Sequence, residues 1–286
     1  MYVPTFLHTG AIKSDAGVQG LPCDGVCKQG KPCTPGVISS IAKSSCITFN
    51  RTPFIPKDTL RVMNNLTATL RYYRYPQHAW AFHVSNALKL YSRSEKVIDA
   101  CCGDGIISYW LAHWHPETQF IGIDLEHNED ACSWIKQKCP NLDFIQGDIN
   151  NEIPAYKGST LLIINSLFVI PDTERLISLF SGLFPVVIGI FPLTESRNFK
   201  SFTARNPEYP NSSVMSKSAT IDLFSKNSFQ LVHEINLTYI PFHSFNSKLL
   251  RFLVLETCER LGIRGSEPAY WLGVFINQSC QHTETS

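Results

Sequence analysis

Residues 99–105, Asp-Ala-Cys-Cys-Gly-Asp-Gly, carry the most specific chemical pattern in the chain. They follow a short apolar stretch and precede a second one that begins at Ile106. Gly103 and Gly105 can adopt backbone angles that other residues avoid, so the chain can turn sharply and lie close against a ligand. If a helix begins at Ile106, its free backbone N–H groups and its dipole point at whatever lies over the turn. The pattern therefore predicts a nucleotide-type binding site.

Polar side chains end four successive predicted strands, and they are Asp99, Asp124, Asp148 and Asn165. The stretches between these strands are long enough for helices, which predicts a parallel sheet built by right-handed crossovers. In such sheets ligands bind at the carboxyl ends of the strands. A single acidic residue at a strand end often faces solvent and has no binding role. Three acids at successive strand ends, the first just before a glycine turn and two after it, favour a binding site.

The elements that must position these residues follow from the spacing of apolar side chains. Strands are predicted at Val97–Ile98, Gln119–Asp124, Leu142–Gln146, Leu161–Asn165, Val186–Phe191, Phe229–Tyr239 and Trp271–Asn277. Helices are predicted from Asp58 or Thr59, from Pro76 and from Ile106, and at Asn128–Cys139, Asp172–Phe184, Ile221–Lys226 and Leu249–Leu261. The polar stretch Thr194–Ser218 is predicted to be a long loop that forms a lid or is disordered.

The Asp99–Gly105 sequence resembles motif I of the class I S-adenosylmethionine-dependent methyltransferases. Cys101 stands where the family usually has its first glycine. The resemblance runs from Lys96 to about Phe191 and extends to Asn277. It implies an α/β fold with a Rossmann-like seven-stranded sheet, mostly parallel with an antiparallel last strand, and helices on both faces. An N-terminal helical cap and insertions complete the predicted architecture.

The resemblance also implies S-adenosylmethionine as the cofactor and assigns roles to individual residues. Asp99 and the backbone around Cys101, Gly103 and Gly105 would face the methionine part, with Asp99 holding its ammonium group directly or through water. Asn165 would lie beside the methyl-donating centre.

The nucleoside part would lie at the next two strand ends. Asp124 would accept hydrogen bonds from the ribose hydroxyls, and Asp148 would accept one from the adenine amino group. Leu125 and Ile149 would contact the adenine ring.

The acceptor site is less well defined by the sequence. Tyr72, Tyr73 and Tyr75 precede the motif, where helices of such enzymes commonly cover the active site, and Phe168 follows Asn165 closely. These aromatic residues are expected to contact the acceptor. For the tyrosines, packing between two helices is an equally good interpretation, because aromatic residues usually serve packing.

No residue is assigned to catalysis from the sequence. An oxygen acceptor would need a base with a pKa near neutrality, and histidine is the usual choice. His83 and His243 are the candidates, although His83 lies within an apolar pattern, where a histidine is more often structural. An amine acceptor needs no such base.

Composition narrows the class of partner. The 25 Lys and Arg residues nearly balance 24 Asp and Glu residues, so no field of one sign favours nucleic acid or an anionic membrane. Aromatic residues make up 12% of the chain. We therefore expect methyl transfer to an oxygen or nitrogen atom of a small, partly apolar metabolite. The N-terminus lacks a signal-peptide pattern, which predicts a cytoplasmic protein, and a homodimer is compatible with this prediction.

The sequence predicts the following division of the chain into segments. Residues 1–56 are predicted to be an irregular arm or lid, 57–93 a helical cap, 94–278 the core with insertions at 194–218 and 241–268, and 279–286 a tail. Within the arm, Cys23, Cys27, Cys33 and Cys46 lack the paired spacing of common zinc sites, so no bound metal is predicted.

Two other functions are compatible with the sequence. Gly103, Gly105 and Ser108 approximate the dinucleotide fingerprint G-x-G-x-x-G, and Asp124 lies near its ribose-binding position, as in an NAD(P)-dependent oxidoreductase. Against that, Ser108 replaces the third glycine, and Asp99 lies inside the strand before the turn, where dinucleotide enzymes usually have apolar residues. The other alternative is a module that binds the cofactor without transferring its methyl group.

Overall fold

The computed structural model describes residues 76–127, 129–205, 214–238, 248–263 and 267–281, which all belong to one compact unit. The predicted arm at 1–56, its four cysteines, and Tyr72, Tyr73, Tyr75 and His243 lie outside these ranges.

Seven strands form a single sheet in the order β3-β2-β1-β4-β5-β7-β6. They are β1 (Lys96–Ala100), β2 (Gln119–Asp124), β3 (Leu142–Gln146), β4 (Thr160–Ile164), β5 (Val186–Pro192), β6 (Phe229–Leu237) and β7 (Tyr270–Asn277). The pairs formed by β1 to β5 are parallel, whereas β7 runs antiparallel to both of its neighbours, β5 and β6. The sheet therefore has the strand number and the mostly parallel character predicted from the sequence.

The described helices are α1 (Gln77–Tyr91), α2 (Ile106–Trp114), α3 (Glu129–Lys138), α4 (Ile149–Glu152), α5 (Thr173–Ser181), α6 (Arg197–Arg205), α7 (Lys217–Lys226), α8 (Lys248–Arg260) and α9 (Gln278–Gln281). Short 3₁₀ helices lie at Ile153–Tyr156 and Leu167–Val169. Within the described ranges, no helix has the length and the apolar character needed to cross a membrane.

Helices cover both faces of the sheet because its central strands are apolar on both sides. Side chains alternate between the faces, so that Val97 and Ile98 of β1 belong to two different buried clusters. The first cluster lies under α1, α2 and α3, and the second lies under α4, α5 and α7. The parallel pairing of β1 to β5 sets their register and brings their carboxyl ends to one edge of the sheet.

The predicted loop at Thr194–Ser218 was wrong in part, because α6 occupies Arg197–Arg205. Phe199 and Phe202 lie three residues apart and so share one helix face. Phe199 is buried in the first cluster, and Phe202 packs against that cluster. Two apolar residues within a polar stretch are too few to show a helical period in the sequence. Only the core surface that they cover reveals the helix.

Helix α7 begins at Lys217, four residues before the predicted start. Its N-cap is Ser216, whose hydroxyl accepts a hydrogen bond from the Ala219 N–H at 3.2 Å. A serine cap satisfies one of the free N–H groups of the first turn, which explains the early start. Strand β6 ends at Leu237, two residues before the predicted end, and Thr238 adopts a left-handed φ of 61°.

Candidate functional site

Asp99 lies near the carboxyl end of the central strand β1 and is 2% exposed. Its Oδ2 accepts a hydrogen bond from the Ser108 hydroxyl in the first turns of α2. Its Oδ1 is buried and has no hydrogen-bond partner. Burial raises the pKa of this carboxyl to about 6, and the bond from Ser108 opposes that rise. Since buried polar atoms are almost always paired in native proteins, Oδ1 is an acceptor for which a donor from a bound ligand is expected.

The turn after β1 has left-handed backbone at three alternate positions. The φ angles are 56° at Cys101, 56° at Gly103 and 67° at Gly105. This conformation costs little for glycine, but for other residues it is unfavourable. Cys101 therefore adopts a backbone conformation that glycine would adopt freely.

Gly105 is required by packing as well as by its backbone angle. A Cβ atom at Gly105 would lie 2.6 Å from Cζ of Phe144 on β3, and a Cβ at Gly122 would lie 2.9 Å from Cδ1 of the same ring. The phenyl ring therefore fills the space behind the turn. The sequence identified Gly105 as a ligand-facing position, but the space beside its Cα is occupied by the protein's own core.

Asp124 at the end of β2 is bonded directly to the glycine turn. Its Oδ2 accepts a hydrogen bond from the Gly103 N–H at 2.7 Å, and its Oδ1 accepts one from the Glu126 N–H at 3.3 Å. The backbone of the same residue accepts from the Gly147 N–H at 2.9 Å, which ties the end of β2 to the end of β3. One carboxylate therefore holds the turn and the following loop together.

Asp148 is the N-cap of α4, and its Oδ1 accepts hydrogen bonds from the backbone N–H and the side-chain amide of Asn150, both at 2.9 Å. Its side chain is exposed at the edge of the sheet. Leu125, in the preceding loop, is 67% exposed, whereas Ile149 is 7% exposed and belongs to the second core cluster. The two apolar residues predicted to flank a ring thus differ sharply in accessibility.

Asn165 follows β4 with a left-handed φ of 53° and is buried, and its N–H donates to the Ile190 carbonyl at 2.7 Å. Phe168 lies on the 3₁₀ helix after it and is buried in the first cluster. The structure brings Asp99, Cys101, Gly103, Gly105, Asp124, Asp148 and Asn165 to the carboxyl edge of four adjacent strands.

The thiols of Cys101 and Cys102 in the turn are poor nucleophiles. Burial raises the pKa of Cys101 to about 11 and raises the pKa of Cys102 well above its usual value. A thiol is nucleophilic only as the thiolate, so neither residue has the character of a catalytic cysteine. Among the described residues, no group of three or more His, Cys, Asp or Glu side chains is arranged to bind a metal ion.

His83 lies on α1, and its Nε2 is buried without a hydrogen-bond partner. Burial lowers its pKa; Glu256 on α8 raises it, and Arg260 on the same helix lowers it again. The charged groups that act on His83 therefore belong to α8 and not to the glycine turn.

Two residues of the site were missed from the sequence. From the sequence, Ser108 is noticed only as a mismatch to the dinucleotide fingerprint. In the structure its hydroxyl donates a hydrogen bond to Asp99. Its position three residues after Gly105 is a usable signal, because the first turn of α2 faces the end of β1. Phe144 gave no such signal, since only the pairing of β2 with β3 brings its ring to Gly105.

Comparison with known proteins identifies the core. Residues 97–186 match the family model described as a methyltransferase domain. No curated protein sequence matches the chain.

Several solved structures with similar folds are methyltransferases. Two structures of the plantazolicin methyltransferase BpumL in complex with SAH, one with a triazolic and one with a pentazolic desmethylPZN analog, align with TM-scores of 0.52 and 0.51. Their sequence identities are 15% and 13%, and each alignment covers 77% of this chain and 91% of BpumL. Magnesium protoporphyrin IX methyltransferase (ChlM) from Synechocystis PCC 6803 with bound SAH aligns with a TM-score of 0.48 and 14% identity, over 70% of this chain and 83% of ChlM.

Residues 97–186 thus match a methyltransferase domain, and the sheet that contains them has the Rossmann-like fold of the class I S-adenosylmethionine-dependent methyltransferases.

Proposed function

We propose that the chain binds S-adenosylmethionine at the carboxyl ends of β1, β2 and β3 and transfers its methyl group to an oxygen or nitrogen atom of a small, partly apolar metabolite. The observation that carries the proposal is the buried, unpaired Oδ1 of Asp99 beside the glycine turn. An ammonium group is a donor of the right charge for this atom, and a charge-assisted hydrogen bond would offset the cost of burying the carboxylate.

The negative charge at the carboxyl edge of the sheet supports a cationic ligand over a negatively charged dinucleotide. The acids at this edge are Asp99, Asp104, Asp124, Glu126 and Asp148. A diphosphate over the turn would meet the carboxylate of Asp104 within the glycine sequence itself, and like charges at close range are unfavourable. The methionine end of S-adenosylmethionine carries an ammonium and a sulfonium group, which suits a cluster of carboxylates.

The nucleoside part has suitable partners at the next two strands. Each oxygen of Asp124 accepts one backbone N–H, and a carboxylate oxygen can accept more than one hydrogen bond, as it would from a ribose hydroxyl. Asp148 uses Oδ1 to cap α4, which leaves Oδ2 for an adenine amino group. The exposed side chain of Leu125 would cover one side of the ring.

When bound, the cofactor supplies the reactive methyl group, and the protein aligns the acceptor and excludes water. Asn165 is buried at the end of β4, where it would border the methyl-donating centre. The near balance of charges in the sequence supports a small acceptor over a nucleic acid. The acidic edge also disfavours a polyanionic acceptor.

The test is calorimetric titration of the full chain with S-adenosylmethionine, and separately with NADH and NADPH. We expect saturable binding of S-adenosylmethionine alone. Asp99→Asn should weaken it by roughly 10- to 100-fold, because a charged partner of the ammonium is lost. The matched control is Asp222→Asn on the exposed side of α7, which should bind as the wild type does.

Methyl transfer requires a second measurement. The chain is incubated with S-adenosylmethionine that carries a trideuterated methyl group and with a panel of phenols, amines and carboxylic acids, and products are detected by mass spectrometry. A product heavier than its acceptor by one labelled methyl group, formed together with S-adenosylhomocysteine, supports the proposal. Binding of NADH in place of S-adenosylmethionine would overturn it.

A further inference from the structure

His127 lies in the loop that follows β2, three residues after Asp124. Both of its ring nitrogens, Nδ1 and Nε2, are buried, and neither has a hydrogen-bond partner. A neutral imidazole has one donor and one acceptor nitrogen, so both functions are unsatisfied at once. Native proteins rarely leave buried polar groups in this state, and each such group calls for an explanation.

The loop that carries His127 is fixed on the cofactor side by hydrogen bonds. Asp124 Oδ1 accepts from the Glu126 N–H, and the side-chain amide of Gln146 donates to the Leu125 carbonyl at 3.2 Å. These contacts bind the loop to the ends of β2 and β3. The loop therefore begins at the carboxylate proposed to bind the ribose, three residues before His127 in the sequence.

The imidazole packs against the ring that backs the glycine turn. His127 and Phe144 form an edge-to-face pair with ring centroids 5.6 Å apart and an interplanar angle of 69°. The same phenyl ring occupies the space where Cβ atoms at Gly105 and Gly122 would lie. One aromatic ring therefore connects the imidazole to the turn, so that the position of His127 is set by the architecture of the site.

We propose that His127 is a further residue of the cofactor site, in which an imidazole nitrogen hydrogen-bonds the nucleoside part of bound S-adenosylmethionine. This inference rests on the proposed function. The methionine end already has Asp99, and the adenine amino group has Asp148. The loop after β2 lies beside the ribose position, where hydroxyl groups can donate to or accept from an imidazole.

A role in binding and a role in folding predict opposite effects of His127→Phe. Phenylalanine keeps the edge contact with Phe144 and removes two unpaired nitrogens, so the free protein should unfold at the same or a higher temperature. Binding of S-adenosylmethionine should weaken by about 3- to 10-fold, the effect of one hydrogen bond. Adenosine should lose affinity by the same factor, because the contact is to the nucleoside.

The experiment compares wild type, His127→Phe, His127→Gln and the control His113→Phe, whose histidine is exposed on α2. Calorimetry gives the affinities, and thermal unfolding without ligand gives the stabilities. His127→Gln, which keeps a hydrogen-bonding side chain, should recover part of the affinity. His113→Phe should change the affinity less than twofold.

The outcomes separate this inference from the proposed function. If wild-type protein does not bind S-adenosylmethionine, both are overturned. If the wild type binds and His127→Phe binds equally well, only the role of His127 is overturned. The same conclusion follows if His127→Phe unfolds at a lower temperature and His127→Gln recovers no affinity, since His127 would then act in the fold.

Discussion

The Gly103 N–H donates a hydrogen bond of 2.7 Å to Asp124 Oδ2, which joins the glycine turn after β1 to the end of β2. The two residues are 21 positions apart in sequence. A carboxylate proposed to bind a ligand thus also shapes the turn over which that ligand would lie. Binding and local structure are coupled through one side chain.

Asp124→Ala should therefore weaken S-adenosylmethionine binding by about 10- to 100-fold, because it removes a charged acceptor and releases the Gly103 N–H. Isothermal titration calorimetry measures the change. Asp222→Ala on the exposed side of α7 is the control and should keep wild-type affinity. Equal affinities in the two variants would contradict the assignment of Asp124.

Gly105→Ala should destabilise the fold by about 1–3 kcal/mol, because a Cβ would clash with Phe144 and because φ is +67°. Urea unfolding gives the free energy of unfolding for the variant and the wild type. The double variant Gly105→Ala/Phe144→Leu should lose less than the sum of the two single variants, since a smaller side chain makes room for the new methyl group. Strict additivity would show that the contact does not limit this position.

Cys101 should accept glycine but not a branched residue. Cys101→Gly relieves the left-handed φ of 56° while raising the entropy of the unfolded chain, so the free energy of unfolding should stay within about 1 kcal/mol of wild type. Cys101→Val should lose about 2 kcal/mol, because β-branched residues are strongly disfavoured at positive φ. Chemical denaturation of both variants tests this contrast, and a valine variant as stable as the glycine variant would refute it.

Asp99 should make the stability of the free protein depend on pH. Burial raises its pKa from 3.8 to about 6 in the folded state, so the folded protein binds more protons than the unfolded chain between these values. The contribution of this residue to the free energy of unfolding therefore falls as pH rises from about 4 to about 6, by at most about 3 kcal/mol. Relative to wild type, Asp99→Asn should gain stability at pH 7.5 and lose that gain near pH 4, as measured by urea unfolding at both values.

Ligand binding should depend on pH in the opposite sense. An ammonium group pairs with the ionised form of Asp99, so the affinity for S-adenosylmethionine should fall as pH drops below about 6. Binding near pH 6 should release protons, which calorimetry in buffers of different ionisation enthalpy detects. In Asp99→Asn this proton release should be absent.

The sequence by itself determined the succession of strands along the chain and the edge of the sheet at which their polar ends lie. Strands such as Gln119–Asp124 and Leu142–Gln146 are short apolar runs that end in polar residues, and parallel crossovers force their carboxyl ends to one edge. Asp99, Asp124 and Asp148 could be placed at this edge because each lies at or just beyond the end of its own strand.

Only the tertiary structure decided which neighbours these residues have. The ring of Phe144 fills the space beside Gly105, the hydroxyl of Ser108 reaches Asp99, and Phe199 anchors α6 on the core within a stretch whose sequence predicts a loop. Each of these contacts joins elements that are separate in the chain. Local periodicity reports which face of an element is apolar, but the side chain that meets that face depends on packing between elements, which no single segment encodes.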